Sequence, residues 1–425
     1  MIIFKNKNVK KNAILFTIIL FGIGTIFAQD PDKYSGGSGS SSDPFQIANL
    51  DDLIELSNAG AEFGAHFLQT ADIDASASAT LNGGAGFKPI GKIGESLFFG
   101  TYDGGGFSIS NLTINRPAEN EVGLFGYTNG ATLKNIHLKA SNIKGGSYVG
   151  GIVGNLWNGA NVSNSSFENG TVEGNQRVGG IAGSVTAEPA NLLTTKISTC
   201  FSTGAITGET FVGGITGYNT GYIFQNYSMA SASPTSTFGG IGGVVGQNGS
   251  TGTISECYAT GVVTGPSGYS GGVVGFNEVN PPGTSVTKSY WDTETSGITA
   301  SAGGEGKTSA EMKLQSTYVD WDFTGTWKFL DDQNDGYPLL QWQAGTNTSI
   351  GNLKAHPEIT LHPVRANIYS ISVKNATSME IYSVSGQLVG IRELKEGTNT
   401  LDLTGYINGV YIVNLQNKAF KLVKN

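Results

Sequence analysis

Through the middle of the chain, apolar residues come in runs of three to five, each closed by a polar turn such as Asn129-Gly130, Asn158-Gly159 or Asn248-Gly249. No run is long enough for a helix, and β-branched residues are frequent. This pattern predicts many short strands.

The runs repeat. A G-[LIV]-x-G core recurs as Gly123-Leu-Phe-Gly126, Gly151-Ile-Val-Gly154, Gly180-Ile-Ala-Gly183, Gly214-Ile-Thr-Gly217, Gly243-Val-Val-Gly246 and Gly272-Val-Val-Gly275. Its spacing is about 29 residues, with one longer period that holds an insertion around Glu188 to Leu193. A second marker in each period is a large apolar residue before a polar turn: Leu138, Phe167, Phe201, Tyr227, Tyr258 and Tyr290. One period cannot bury its own apolar face, whereas stacked periods can. The expected fold is therefore all-β: a right-handed parallel β-helix (β-solenoid) of about 29-residue coils over residues 122–300. Its coils should rise by about 4.8 Å, so that the markers form one ladder and the Ile/Val of the core another. The doubled glycines suit corners where a Cβ would clash or φ must be positive.

Composition agrees. Of 425 residues, 63 are glycine, and 14% are charged, against a usual share of about 25%. With 25 basic and 33 acidic residues, the chain lacks the basic surface a nucleic-acid partner calls for. Two cysteines exclude a disulfide scaffold. Cys200 and Cys257 take the same place in coils two apart, about 9.6 Å along the axis, with Asn226 or Gln225 between them. That is too far for a disulfide, and two buried free thiols are expected.

The flanks read differently. Lys5, Lys7, Lys10 and Lys11 precede an apolar stretch from Ala13 to Ala28, too short for a spanning helix. Residues 1–28 are expected to be a secretory signal peptide; an uncleaved anchor is the alternative. Cleavage would leave 21 basic against 33 acidic residues, a net of −12. Residues 44–121 should form an N-terminal cap and the first coils, with Asn49 capping a short helix that carries Leu50, Leu53 and Ile54 on one face. Residues 301–343 hold a capping-box pattern, Thr308 to Glu311, then an aromatic stretch expected to cap the far end. Residues 344–355 read as a linker. Residues 356–425 alternate as a small β domain, with a turn at Ser385-Gly386.

Two resemblances follow from these phrases. VGLFGY and VGGIVG resemble the GLUG motif of bacterial surface proteins, which include adhesin-like proteins and some immunoglobulin A proteases. EIYSVSGQLV, LDLTGYINGVYIVNL and the terminal KLVKN resemble the type A sorting domain of the type IX secretion system of Bacteroidetes. The usual Pro-Asn-Pro entry of that domain is replaced here by His362-Pro363-Val364. Residues 356–425 are expected to form a small immunoglobulin-like β-sandwich, and a plain domain of that kind is the alternative to the sorting reading. The second resemblance implies the secretion machinery as its partner. It also implies removal of the domain after export, and release or attachment to surface lipopolysaccharide.

Candidate chemistry is thin. β-Helical enzymes that act on acidic sugars cluster carboxylates with Lys, Arg or His. Between residues 122 and 300 there is one Asp, Asp292; one His, His137; and one Arg, Arg177. Glu168, Glu173, Glu188, Glu209, Glu256, Glu278 and Glu294 are spread one or two per coil, as on a solvated face. Neither G-x-S-x-G nor HExxH occurs. Asp331, Gln333 and Asp335 before Gly336 echo a calcium loop, but its twelfth position is Trp342, so a turn is the better reading. His356 and His362 read as exposed loop residues. No catalytic, cofactor or metal residue is assigned, and no cofactor is expected. The expectation is a secreted or cell-surface adhesin-like module for a glycan, matrix polymer or host protein. Alternatives are a passive spacer or a carbohydrate-active enzyme.

Overall fold

The computed structural model describes residues 33–279, 285–330, 333–346, 359–365, 368–383, 388–406, 409–415 and 418–424. The signal-peptide segment, His356, Asp331 and the Ser385-Gly386 turn lie outside the described residues. The chain divides into two compact units, one up to Ala344 and one from Gly345.

The first unit is a parallel β-helix. One coil steps through four short strands, each of which pairs with its equivalent in the next coil. Val149–Gly150 pairs with Gln176–Gly179, Val153–Trp157 with Ala182–Thr186, Asn161–Ser163 with Lys196–Ser198, and Ser166–Glu173 with Phe201–Gly208. Repeated along the axis, these make parallel sheets of five, six, nine and twelve strands, called here D, C, A and B in the order just given. The interior is one continuous core. Leu133, Val162, Ile197, Ile223 and Ile254 stack in sheet A, and Val149, Val178, Val212 and Ile241 in sheet D, all fully buried.

The doubled glycines sit between sheets D and C at ordinary φ, since none is among the left-handed glycines. Steric room decides their identity. A Cβ on Gly150 would lie 2.2 Å from the Val153 carbonyl oxygen, and one on Gly151 2.4 Å from both the Gly180 carbonyl and the Phe167 ring. The left-handed corners fall to other residues. Asn135, Asn164, Thr199, Gln225, Glu256 and Lys288 form one such column, with φ between 46° and 57°. Glu121, Tyr148, Arg177 and Phe211 form another, with φ between 54° and 61°.

Backbone groups that the corners leave unpaired are taken up by side chains, as buried polar groups require. The Ile136, Cys200 and Cys257 N–H groups donate to Ser165 Oγ, Asn226 Oδ1 and Ser289 Oγ of the following coil, at 3.0, 2.8 and 3.2 Å. Both cysteines are buried and unpaired in this column, with Asn226 between them. Further along, Asn219, Asn248 and Asn277 form an interior ladder through their amides, at 2.8 and 3.2 Å.

The aromatic markers do not form one ladder. Leu138 and Phe167 point inward, and Phe167 registers with Ser202, Ser228, Ala259 and Trp291. Phe201 instead registers with Ser166, one residue earlier, so its side chain leaves by the outer face. Phe201, Tyr227, Tyr258 and Tyr290 thus stack outside sheet B and belong to a separate core.

The ends are closed as solenoids require. At the N-terminal end Asn49 Oδ1 accepts the Asp52 N–H at 3.0 Å, and the helix Leu50–Asn58 buries Leu53 and Leu56 in the core. At the other end the closing segment is shorter than 301–343. Ala300, Ser301 and Ala302 bond to the last rungs of sheets D and C, and Glu305–Lys307 adds the last strand of sheet B. After the capping box at Thr308 and Glu311, the chain does not stay at the end. It runs back along the flank as a strap. Met312, Tyr318, Trp321, Trp327, Tyr337 and Leu340 pack on the outer aromatic ladder. The ladder's exposed rings are what the strap's aromatic residues cover.

The second unit is a small antiparallel β domain. One sheet holds Ile359–Arg365, Ile368–Val373 and Gly397–Asp402; the other holds Thr377–Ser383, Leu388–Leu394, Gly409–Leu415 and Lys418–Lys424. His362 lies in the first of these strands. Ile371, Met379, Ile381, Leu401, Val413 and Leu415 form its core.

Candidate functional site

The scattered carboxylates remain scattered. Glu173 pairs with Lys144 at 2.6 Å across one coil. Glu256 accepts from Gln225 Nε2 at 2.9 Å, and Glu278 accepts from Gln247. Glu294 takes the Ser309 N–H at 2.9 Å. Glu188 is exposed on the inserted loop, next to the short turn Pro189–Asn191. Glu209 sits at a corner where its N–H meets the Asn175 carbonyl. Asp292 is buried and accepts the Tyr337 hydroxyl at 2.6 Å and the N–H groups of Glu294 and Thr295. Burial raises its pKa, but hydrogen bonds from Ser309, Tyr337 and the backbone outweigh that and hold it low. It anchors the strap.

His137 is buried under Trp342, whose ring stacks on it at 4.9 Å. Its Nδ1 lies 3.0 Å from Ser166 Oγ, and that hydroxyl donates to Glu168 Oε1 at 2.7 Å. The serine points its proton at the carboxylate and is fully buried, so this chain of groups presents no accessible nucleophile. Asp335 is exposed, and Asn334 beside it donates to the Tyr258 hydroxyl at 2.8 Å, which places this segment as a turn of the strap. Among the described residues no three His, Cys, Asp or Glu side chains converge as a metal would need.

A surface missed in the sequence lies along the glycine corner between sheets D and C. Two positions per coil line it, although Gly240 has no side chain and Asn155, Ser184 and Gln247 are buried beneath their neighbours. One is the residue before the paired Val-Gly: Glu121, Tyr148, Arg177, Phe211, Gly240 and Tyr269, in register through the flanking Val pairs. The other follows the second glycine of the G-x-x-G core: Tyr127, Asn155, Ser184, Tyr218, Gln247 and Phe276. The second glycine brings the two rows together: a Cβ on Gly183 would lie 2.4 Å from the Tyr148 carbonyl carbon, and one on Gly217 2.5 Å from that of Arg177.

The result is a strip of rings and polar groups. Tyr127 and Trp157 meet edge to face at 6.0 Å. The Arg177 guanidinium lies between two rings, 4.8 Å from the Tyr148 centroid and 4.2 Å from that of Tyr218. Tyr269 and Phe276 are 6.1 Å apart, both substantially exposed. Burial first, then the nearby Glu121, raises the Tyr127 pKa; burial and Glu278 raise that of Tyr218. Both phenols therefore stay neutral. The signal in the sequence was there: the residues flanking each glycine core, as in YVGGIVGN, RVGGIAGS and FVGGITGY.

Two family models match the chain. One, described as the GLUG motif, covers residues 145–173; the other, described as a secretion system C-terminal sorting domain, covers residues 362–425. The chain carries a GLUG motif and a type IX sorting domain. The GLUG match spans one coil and includes Tyr148, Gly150, Gly151 and Gly154, so the motif's glycines are the corner glycines described above. The sorting domain marks the chain for export through the type IX machinery, to the cell surface or the extracellular space. No helix among the described residues is long and apolar enough to cross a membrane.

Among curated proteins, the chain is similar to "Halomucin" of Haloquadratum walsbyi, 32% identical over 413 residues, which is 88% of this chain and 4% of that protein. It is also similar to the "Putative Gly-rich membrane protein" of Evansella cellulosilytica, 35% identical over 115 residues, 26% of this chain and 13% of that protein. The chain thus spans a small part of either relative. Among solved structures, it is similar to one named "putative immunoglobulin A1 protease" from Bacteroides ovatus. The TM-score is 0.53 at 20% identity, covering 73% of this chain and 95% of that one. At that identity the likeness is one of fold. The matched families and the curated relatives bear no name of a catalytic family.

Proposed function

We propose that this secreted GLUG protein is an adhesin-like binding module, and that its glycine-corner strip holds an extended glycan. The observation that carries the reading is the pair of rows, in register coil over coil, with Tyr127, Tyr218, Tyr269 and Phe276 among them and Trp157 packed beside Tyr127. Aromatic faces bury the apolar faces of sugar rings, while polar groups beside them serve the hydroxyls. The coil rise of about 4.8 Å gives the strip a repeat suited to a linear polymer, and a solenoid offers such a face at length. The sorting domain would carry the module out and then be removed, leaving it released or attached to lipopolysaccharide.

The test is a screen of the full chain against a glycan panel, repeated with Tyr218→Ala and Trp157→Ala. Saturable binding that falls about tenfold or more with either substitution supports the reading. A folded chain that binds no glycan removes it and leaves the spacer. Turnover of a polysaccharide that depends on Glu168 would replace it with an enzyme.

A further inference from the structure

Arg177 is the sole arginine between residues 122 and 300, and it sits in the middle of the strip. Tyr148 precedes it by one coil in its own row, and Tyr218 follows it in the other. Their rings lie 4.8 and 4.2 Å from the guanidinium carbon, so aromatic surface flanks the group from both neighbouring coils. Such stacking holds the plane of the group and leaves its N–H edge as the face still able to bond. Among the described residues that edge makes no hydrogen bond and no ion pair, although the side chain is only partly exposed. Five donors on a fixed fork, held without a partner, match a carboxylate in bidentate geometry.

The surroundings narrow the partner further. Glu121, Glu188 and Glu278 lie around the same strip; the first two act on Tyr127 and the third on Tyr218. A polymer with a carboxylate on every sugar would set its next charges against these acids. A chain with an isolated carboxylate would not. From this we infer that Arg177 is the subsite for a single carboxylated sugar, a uronic or sialic acid type unit, set among neutral sugars that cover the flanking rings. This inference rests on the glycan reading above and names the ligand class of the same strip.

The test uses the full chain, a panel of oligosaccharides holding one uronic or sialic acid among neutral sugars, and the methyl ester of each. An oligogalacturonate with a carboxylate on every unit completes the set. The expected result is that wild type prefers acid over ester by about tenfold or more, the scale of a charge-assisted bidentate bond. Arg177→Gln should bring that ratio to about one. Tyr148→Phe should keep the ratio, and Tyr148→Ala should lower it by loosening the fork. The oligogalacturonate should bind more weakly than the singly charged chains. Melting temperature and circular dichroism confirm that each variant folds. An acid-to-ester ratio near one in wild type, or one that Arg177→Gln leaves unchanged, overturns the inference. Ring-dependent glycan binding without that ratio sinks the carboxylate subsite alone; absence of all glycan binding sinks both readings.

Discussion

Tyr227 and Tyr258 lie one coil apart with their rings stacked, centroids 5.0 Å apart and planes 3° from parallel. Both rings are almost wholly buried although they leave the outer face of the β-helix. The strap covers them and uses their hydroxyls: Tyr258 donates to the Pro338 carbonyl at 2.6 Å, and Gln343 Nε2 donates to the Tyr227 hydroxyl at 2.8 Å. Trp321 and Trp327 complete the cover. Tyr258→Ala should therefore cost about 3–5 kcal/mol, the scale for removing a buried aromatic ring. Tyr258→Phe keeps the stack and should cost about 1–3 kcal/mol, through the partners it leaves unpaired. Chemical denaturation of the two variants checks the order. Equal losses would mean that the hydroxyl, and not the ring, docks the strap.

The cysteines should be silent in the folded protein. Burial pushes the Cys200 and Cys257 thiols up to about 12, against backbone hydrogen bonds that act the other way. Thiolate is the reactive form, so a disulfide reagent at pH 8 should label neither until denaturant is added, and then both. A raised folded pKa also sets a stability window. The contribution is complete below the unfolded value of about 9 and is lost as pH rises toward about 12. Alkaline unfolding that starts above pH 9, and moves upward when both cysteines become serine, is the expected outcome. Rapid labelling at pH 8 would place a thiol at the surface.

His137 sets the acid limit. Burial lowers its pKa to about 4, and Lys139 adds to the effect. The unfolded chain takes up the proton near pH 6.5, so the neutral imidazole favours the folded state above that value. This stability falls as pH drops from about 6.5 to about 4, by about 3 kcal/mol in all. Protonation would place a charge beneath Trp342, whose Nε1 donates to the Thr199 carbonyl at 2.9 Å and closes the end of the strap. Denaturation curves across that range should lose their slope in His137→Gln. An imidazole that titrates near 6.5 by NMR in the folded protein would rule this out.

Much of this molecule was legible in its sequence, and the exceptions share a cause. The period, the parallel coils, the free thiols, the Asn49 cap and the Thr308–Glu311 capping box follow from spacing and local chemistry, which act within a few residues or repeat along the axis. The ladder assignment fails because facing depends on counting from the left-handed corner. Phe167 is third after Asn164, whereas Phe201 is second after Thr199, and that single residue turns the ring from inside to outside. The strap reads as an end cap in the sequence because its partner, the outer ladder, exists only once that flip is made. The cluster around Arg177 is hidden in the sequence: Tyr148 and Tyr218 lie 29 residues before and 41 residues after Arg177, and they meet it only when the coils stack.

The glycines and the left-handed corners make opposite predictions for opposite substitutions. Gly150 has an ordinary φ, and its missing Cβ is what the fold uses: an added methyl would fall 2.2 Å from the Val153 carbonyl oxygen and 2.7 Å from Ala182 Cα. Both are backbone atoms of a paired sheet and cannot step aside. Gly150→Ala should cost about 3 kcal/mol or more, the upper range for overpacking. Ala140 is the reverse case, an exposed alanine at φ 48°. A left-handed L-residue costs about 1–2 kcal/mol, while glycine gives back about 0.4–1 kcal/mol through the freer unfolded chain. Ala140→Gly should therefore stabilise by up to about 1 kcal/mol. Denaturation midpoints that move in opposite directions would show that the doubled corner glycines serve this solenoid by their missing side chain and not by left-handed backbone. A loss of stability in Ala140→Gly would contradict that division of labour.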